Sequence, residues 1–177
     1  MSYIKTKLTN RDKDILSEIY NELEQITLNK SIHSKNRGHA VRTGTIKQLD
    51  ARQSCFGEVY YQGKIKESCI NKKYPQMIDL FKKFIKSHYP KFKFSGVYVN
   101  KNTVCKKHID SKNTGESLLV GFGPYTFGKT VLYPIGLKPK KFHIKTSSLI
   151  FNGSEITHNS EPFNGTRYSL VFYNRNL

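Results

Sequence analysis

Apolar residues recur at helical spacing near the start of the chain. Ile15, Ile19, Leu23 and Ile26 follow the capping cluster Thr9-Asn10-Arg11-Asp12. This pattern predicts an amphipathic helix over about residues 10–28. Residues 29–45 (NKSIHSKNRGHAVRTGT) are polar, basic and glycine-containing, and read as a long surface segment. A short strand is expected over Phe56–Tyr61, closing at Gln62-Gly63. Tyr74-Pro75 then opens a second helix with an apolar stripe of Met77, Ile78, Leu80, Phe81, Phe84 and Ile85, and Pro90 stops it. The lysines along it (Lys72, Lys73, Lys82, Lys83, Lys86) read as a solvated face.

From residue 92 the period shortens to that of strands. Candidate strands are Phe92–Val99, Ser117–Phe122, Lys129–Tyr133, Lys141–Ile144, Ser148–Asn152 and Thr166–Asn174. Asn100-Lys101-Asn102, Pro124, Gly128, Gly136, Gly153 and Gly165 punctuate them. Helices first and many short strands after predict an α+β chain. Its β part would be a sandwich or jelly roll with the N-terminal helices packed on one sheet. A single domain over 1–177 is expected, helical over about 1–91 and β over about 92–177.

Composition adds three points. No apolar run approaches the length of a membrane span, and the first residues lack the apolar core of a secretory signal, so an intracellular, soluble chain in cytoplasm or nucleus is expected. Three widely spaced cysteines, Cys55, Cys69 and Cys105, make neither a disulfide framework nor a zinc ribbon. Lys and Arg number 30 against 13 Asp and Glu, a formal charge of +17, with a pI of about 9.8. Such a balance points to a polyanionic partner. Solubility, or the Lys/Asn bias of an AT-rich or viral genome, explains it equally.

The chemistry-bearing residues lie in the β part. In His108-Ile109-Asp110 an imidazole and a carboxylate stand two positions apart, on one face of an extended backbone. His158 follows far along the chain, where a distant strand could bring it to the same place. Two histidines and one carboxylate form the facial triad of non-haem Fe(II) oxygenases, which leaves positions open for substrate and O2. Alternatively, a histidine or aspartate here is an ordinary surface or core residue. Arg167 comes nine positions after His158, at the start of the apolar run Tyr168–Tyr173. An inward strand arginine is costly unless it meets an anion, and its fork matches a carboxylate. Ser169, two positions on, shares that face.

HxD, a distal His and Arg-x-Ser after a glycine turn resemble the double-stranded β-helix Fe(II)/2-oxoglutarate dioxygenases, over roughly residues 96–174. Four segments are similar to the TET/JBP-related oxygenases of algae, kinetoplastids and large DNA viruses. They are Val99-Asn100-Lys101-Asn102, His108 to Asn113, Glu116 to Gly123, and Phe151-Asn152-Gly153 before His158. The resemblance implies iron on His108, Asp110 and His158, and 2-oxoglutarate held by Arg167 with Ser169. Turnover would consume O2 and 2-oxoglutarate and oxidise a substrate C–H bond. Asn100, Asn102 and Asn113 would order the pocket, or simply form turns. Tyr98 and Phe122 would line it, or belong to the core.

The subfamily resemblance implies a methylpyrimidine in nucleic acid, 5-methylcytosine or thymine in DNA, as substrate. Lys35, Arg37 and Arg42 in the basic segment are candidates for phosphate contacts. Three other readings remain open: a prolyl or lysyl side-chain hydroxylase, a nucleic-acid-binding module without catalysis, and a cupin-like jelly roll holding another divalent metal.

Overall fold

The computed structural model describes residues 3–29, 41–43 and 51–175. Its first half runs β1 (Tyr3–Lys7), α1 (Asn10–Gln25), β2 (Val41–Thr43), β3 (Arg52–Tyr61), β4 (Lys64–Glu67), α2 (Cys69–Lys73) and α3 (Pro75–His88). The second half holds β5 (Gly96–Lys101), β6 (Thr103–Cys105), β7 (Ser117–Phe122), β8 (Tyr125–Phe127), β9 (Thr130–Tyr133), β10 (Lys140–Phe142) and β11 (Ser147–Phe151). It ends with β12 (Thr157–Ser160), β13 (Phe163–Gly165) and β14 (Tyr168–Tyr173).

A large antiparallel sheet has the order β1-β11-β7-β14-β5-β3-β4. A smaller sheet, β10-β9-β12, packs across it. Pairs β13-β8 and β2-β6 complete the β part. The architecture is the expected α+β double-stranded β-helix, or jelly roll. The N-terminal half supplies β1, β3 and β4 to the large sheet as well as the helices.

Strand alternation divides the interior in two. Tyr168, Leu170 and Phe172 of β14 join Val97, Val99, Leu118 and Val120 under the helices, against Ile15, Ile19, Leu23, Met77, Phe81 and Phe84. Those apolar helix positions lie at helical spacing, so one face of each helix is buried. The opposite side of the large sheet faces the smaller one. There Leu119, Leu149 and Phe151 meet Leu132, Phe142, Ile144 and Ile156. The functional residues lie in this second layer.

Observed boundaries differ from the expected ones where side chains compete with propensity. Helix α1 stops at Gln25, because Ile26 turns extended and Leu28 drops into the helix-side core. The strand expected from Phe92 begins at Gly96, since Phe92 and Phe94 pack on that core before the ladder starts. Strands β1, β6, β12 and β13 are too short or too polar to stand out in the sequence. Of the basic segment, Lys35 and Arg37 lie outside the described residues, and Arg42 falls in β2 opposite Val104.

A buried polar cluster locks the helices to the sheet. Thr9 caps α1 in a capping box with Asp12. His88 Nδ1 lies 2.9 Å from Asp12 Oδ2, and His88 Nε2 lies 2.6 Å from Ser148 Oγ on β11. Ser87 Oγ donates to Asp12 Oδ1 at 2.8 Å. Burial alone would raise the Asp12 pKa. The Thr9 N–H and the bonds from His88, Ser87 and the Thr9 hydroxyl outweigh it and hold the carboxyl below its ordinary value. A depressed carboxyl contributes stability above its unfolded pKa of about 4, and that contribution fades as pH falls through the lower folded value. Asp12→Asn is therefore expected to cost about 1–3 kcal/mol at neutral pH, as buried donors lose a charged acceptor. The gap to wild type should narrow below about pH 4. Urea melts of both proteins across that range check it.

Candidate metal centre

His108 and His158 are held side by side by the backbone. Their two peptide units exchange hydrogen bonds in an antiparallel bridge, each 3.0 Å long. Asp110 is fixed separately, its N–H donating to Gly153 O at 2.8 Å. The donor atoms of His108, Asp110 and His158 all lie within 4.8 Å of one another. Each histidine Nε2 is 3.6 Å from an Asp110 oxygen. That is too long for a hydrogen bond and suits donors grouped around one cation.

The tautomers follow from the outer partners. His108 Nδ1 lies 2.6 Å from Lys106 O, and His158 Nδ1 lies 2.8 Å from Ile156 O. A carbonyl only accepts, so both Nδ1 atoms carry the proton and both Nε2 lone pairs face Asp110. Phe151 packs edge-on against the His158 ring at 5.0 Å and fixes its plane. Gly153 keeps the centre open: a Cβ there would sit 3.1 Å from Asp110 Oδ2 and 3.5 Å from His158 Cε1. Two imidazole nitrogens and one carboxylate suit Fe(II), among other first-row divalent ions.

Beside this centre lies an anion pocket. Arg167 is 3% exposed, and its Nε has no hydrogen-bond partner. Its guanidinium lies over the rings of Tyr125 (5.5 Å) and Phe163 (5.8 Å). Its backbone is clamped by Asn102, whose Oδ1 accepts from Arg167 N at 2.9 Å and whose N–H donates to Arg167 O at 2.8 Å. Burial raises the Tyr125 hydroxyl pKa while Arg167 beside it opposes the rise, so the phenol stays a neutral donor. Ser169 lies in one cross-strand row with Asn100 and Gly121, on the face that points to the smaller sheet. Asn100 Oδ1 is buried without a partner. A Cβ at Gly121 would lie 2.6 Å from the Tyr125 hydroxyl, so only glycine lets that tyrosine reach in. A buried guanidinium with an unpartnered Nε, a phenol and a buried serine together fit a carboxylate.

The structure thus brings His108, Asp110 and His158 together, with Arg167, Ser169 and Asn100 on the same interior face. Asn113 does something simpler: its N–H donates to Asp110 O at 2.8 Å and closes the turn behind the carboxylate. Tyr98 is on the interior face opposite Val171. Phe122 is not; it stacks on Tyr168 at 5.5 Å in the helix-side core. Tyr125, Gly121 and Gly153 were missed as site residues. Tyr125 sits on a three-residue strand with no sequence pattern of its own, and a glycine's contribution is the absence of a side chain.

No family model matches the sequence, and no curated protein matches it. Solved structures do match. An oxidoreductase of the 2OG-Fe(II) oxygenase family from Burkholderia pseudomallei aligns at a TM-score of 0.62 and 14% identity, over 89% of this chain and 77% of that one. The chain has the fold of these oxygenases. A Pseudomonas putida prolyl-4-hydroxylase aligns over 98% of this chain and 92% of its own, at TM-score 0.59 and 12% identity. NgTET1 in complex with 5mC DNA aligns over 98% and 71%, at TM-score 0.59 and 14% identity.

Two substitutions test the centre. Asp110→Asn is expected to weaken Mn(II) binding at least about 100-fold, since a lost ligand should exceed the 10–100-fold effect of an outer partner. Gly153→Val should also abolish binding, by filling the space between Asp110 and His158, with the melting temperature nearly unchanged. Calorimetric titration with Mn(II) and a thermal melt read both.

Proposed function

We propose that this chain is an Fe(II)- and 2-oxoglutarate-dependent dioxygenase that oxidises a C–H bond of its substrate. The observation that carries the reading is the pairing of two sites in one interior layer. His108, Asp110 and His158 form a three-donor face, and Arg167 with its unpartnered Nε forms a buried anion pocket. A metal site alone would fit many jelly rolls; a buried guanidinium beside it calls for a carboxylate cosubstrate. The shared fold with 2OG-Fe(II) oxygenases supports the reading.

Fe(II) with 2-oxoglutarate supplies the O2-activating redox chemistry when bound. The chain's own residues do the rest. His108 and His158 present Nε2 because Lys106 O and Ile156 O hold Nδ1–H. Asp110 supplies negative charge that favours a divalent cation. Arg167, Tyr125 and Ser169 bind the far carboxylate and so fix which end of the cosubstrate meets the metal. The apolar layer of Leu119, Leu132, Phe151 and Ile156 limits water beside the centre.

The substrate reading favoured here is a methylpyrimidine of nucleic acid, 5-methylcytosine or thymine. The formal charge of +17 supports it, because a phosphate backbone rewards an excess of cations. The likeness to NgTET1 with 5mC DNA agrees with it. A prolyl side chain is the second reading, supported by the near-complete mutual coverage with the P. putida prolyl-4-hydroxylase.

Succinate release from Fe(II), ascorbate and 2-oxoglutarate tests the class. Addition of DNA containing 5-methylcytosine and thymine, or of proline-rich peptides, tests the substrate, with mass spectrometry of nucleosides and peptides. Stimulated succinate with one oxygen added to a pyrimidine is the expected result. Oxygen on the peptide instead would select the second reading, and no succinate under any condition would sink the class. Arg167→Ala is expected to raise the KM for 2-oxoglutarate about 10- to 100-fold, the loss of charge-assisted bonds at about 1.5–3 kcal/mol. An unchanged KM would remove Arg167 from the cosubstrate site.

A further inference from the structure

Two residues past the end of β14, in phase with its interior face, stands a second buried arginine to which the cosubstrate pocket assigns no role. Arg175 is 7% exposed, and its Nε has no hydrogen-bond partner. No carboxylate pairs with it among the described residues. Its Nη2 makes a long hydrogen bond to the Tyr98 hydroxyl, at 3.5 Å, and the guanidinium also interacts with the Tyr173 hydroxyl. The guanidinium lies over the Tyr173 ring at 4.9 Å, and Tyr98 and Tyr173 pack together at 5.2 Å. Tyr173 is itself pinned. Its hydroxyl donates to Glu58 O at 2.6 Å and lies 2.7 Å from Cys55 Sγ, and Arg175 N donates to Ser95 Oγ at 3.2 Å. The guanidinium is thus held in place with no carboxylate against it among the described residues. Burying a cation without a counter-ion costs several kcal/mol (order of magnitude), which an anionic ligand would offset.

Its position says which ligand. The segment from Asn102 to Thr114 runs alongside β14. It starts at Arg167, through the Asn102 clamp, and ends where Thr114 N donates to Asn174 O at 2.9 Å. His108 and Asp110 lie midway along that segment. The ligand-bearing segment is therefore tethered beside Arg167 at one end and, through Asn113 and Thr114, beside the residue before Arg175 at the other. Tyr98 and Tyr173, which flank Arg175, belong to the same interior face as Ser169. Lysines bracket the ligand pair in sequence and carry positive charge to the rim. Lys107 lies over the Tyr133 ring at 4.0 Å, and Lys112 over the Tyr60 ring at 4.4 Å. Tyr60 is 41% exposed. Aromatic faces alternating with cations suit a strand whose bases stack and whose phosphates pair.

We propose that Arg175 is a positioning anion anchor for the primary substrate, taking a backbone phosphate next to the base that enters the metal centre. The assignment rests on the nucleic-acid reading given above. The guanidinium fork matches two phosphate oxygens, and the tyrosine ring beneath it presets the fork's plane. Lysine in its place would keep the charge and lose the fork.

The test uses the full chain loaded with Mn(II) and 2-oxoglutarate under argon, so that binding is read without turnover. A short fluorescein-labelled single-stranded oligodeoxynucleotide containing 5-methylcytosine is titrated by anisotropy over about 50 to 200 mM salt. Arg175→Gln is expected to weaken binding about 10-fold and to lower the slope of log K against log salt by about 0.7, the share of one phosphate on a single strand. Arg175→Lys should keep the slope and lose part of the affinity. A purely structural role would lower the melting temperature and leave the slope alone, and that result overturns the proposal. Calorimetric affinity for 2-oxoglutarate, measured on the same samples, separates the two levels. Wild type that binds 2-oxoglutarate but no oligonucleotide overturns the phosphate assignment while the dioxygenase stands; so does Arg175-dependent capture of a glutamate-rich peptide in place of DNA. Loss of 2-oxoglutarate binding in wild type would instead overturn the dioxygenase reading itself.

Discussion

The two-residue alternation of β14 is the constraint on which both halves of this molecule depend. The strand sits at the centre of the large sheet, hydrogen-bonded to β7 on one side and β5 on the other. With both edges paired, it cannot slip by one residue without exchanging its faces. One face, Tyr168, Leu170 and Phe172, closes the core under α1 and α3. The other, from Arg167 through Ser169 and Tyr173 to Arg175, faces the layer that holds the metal ligands. A single register therefore fixes the packing of the helices and the placement of two buried cations.

The metal centre depends on a second pairing of distant chain segments. His108 follows β6 and His158 lies on β12, and the peptide bridge between them sets both imidazoles side by side. The carbonyls of Lys106 and Ile156, each two residues before its histidine, then set both tautomers by the same geometry. Preorganisation of this kind means that metal binding need not order the backbone. It also explains the glycines at the centre. Gly153 and Gly121 stand where neighbouring functional side chains approach closest, and any side chain would push them apart.

Electrostatics gives the interior layer a direction. Asp110 contributes negative charge, and Arg167 and Arg175, just before and just after β14, contribute positive charge. On the proposed reading a divalent cation pairs with the first and anionic groups with the other two. The polar clamp of Asp12, His88 and Ser148 lies on the other side of the sheet, where its bonds are satisfied internally. The contrast is informative: polar groups that serve the fold find partners within the chain, whereas Arg167 and Arg175 keep buried donors in reserve.

Much of this was legible in the order of residues. Helical spacing located α1 and α3, because one buried face per helix imposes that period whatever it packs against. Strand β7 was readable to the residue, since it is buried on both faces and reads as a nearly continuous apolar run. That His108 and Asp110 share a face, and Arg167 and Ser169 another, could be expected from the sequence, because i and i+2 share a face on any extended backbone; His158 entered only as a distant candidate, and the fold brings its imidazole to the other two. What could not be read was whatever depends on partners across the sheet. The short strands β6, β12 and β13 exist through pairing and have no pattern of their own. Tyr125 and Tyr98 became interior residues, and Phe122 a helix-side one, through register alone. Gly121 and Gly153 matter through space they leave empty, and Arg175 became a buried cation only when β14 was seated between β5 and β7. Local periodicity and ligand chemistry are properties of the chain itself; burial, register and emptiness belong to its neighbours in space, and tertiary structure alone supplies those.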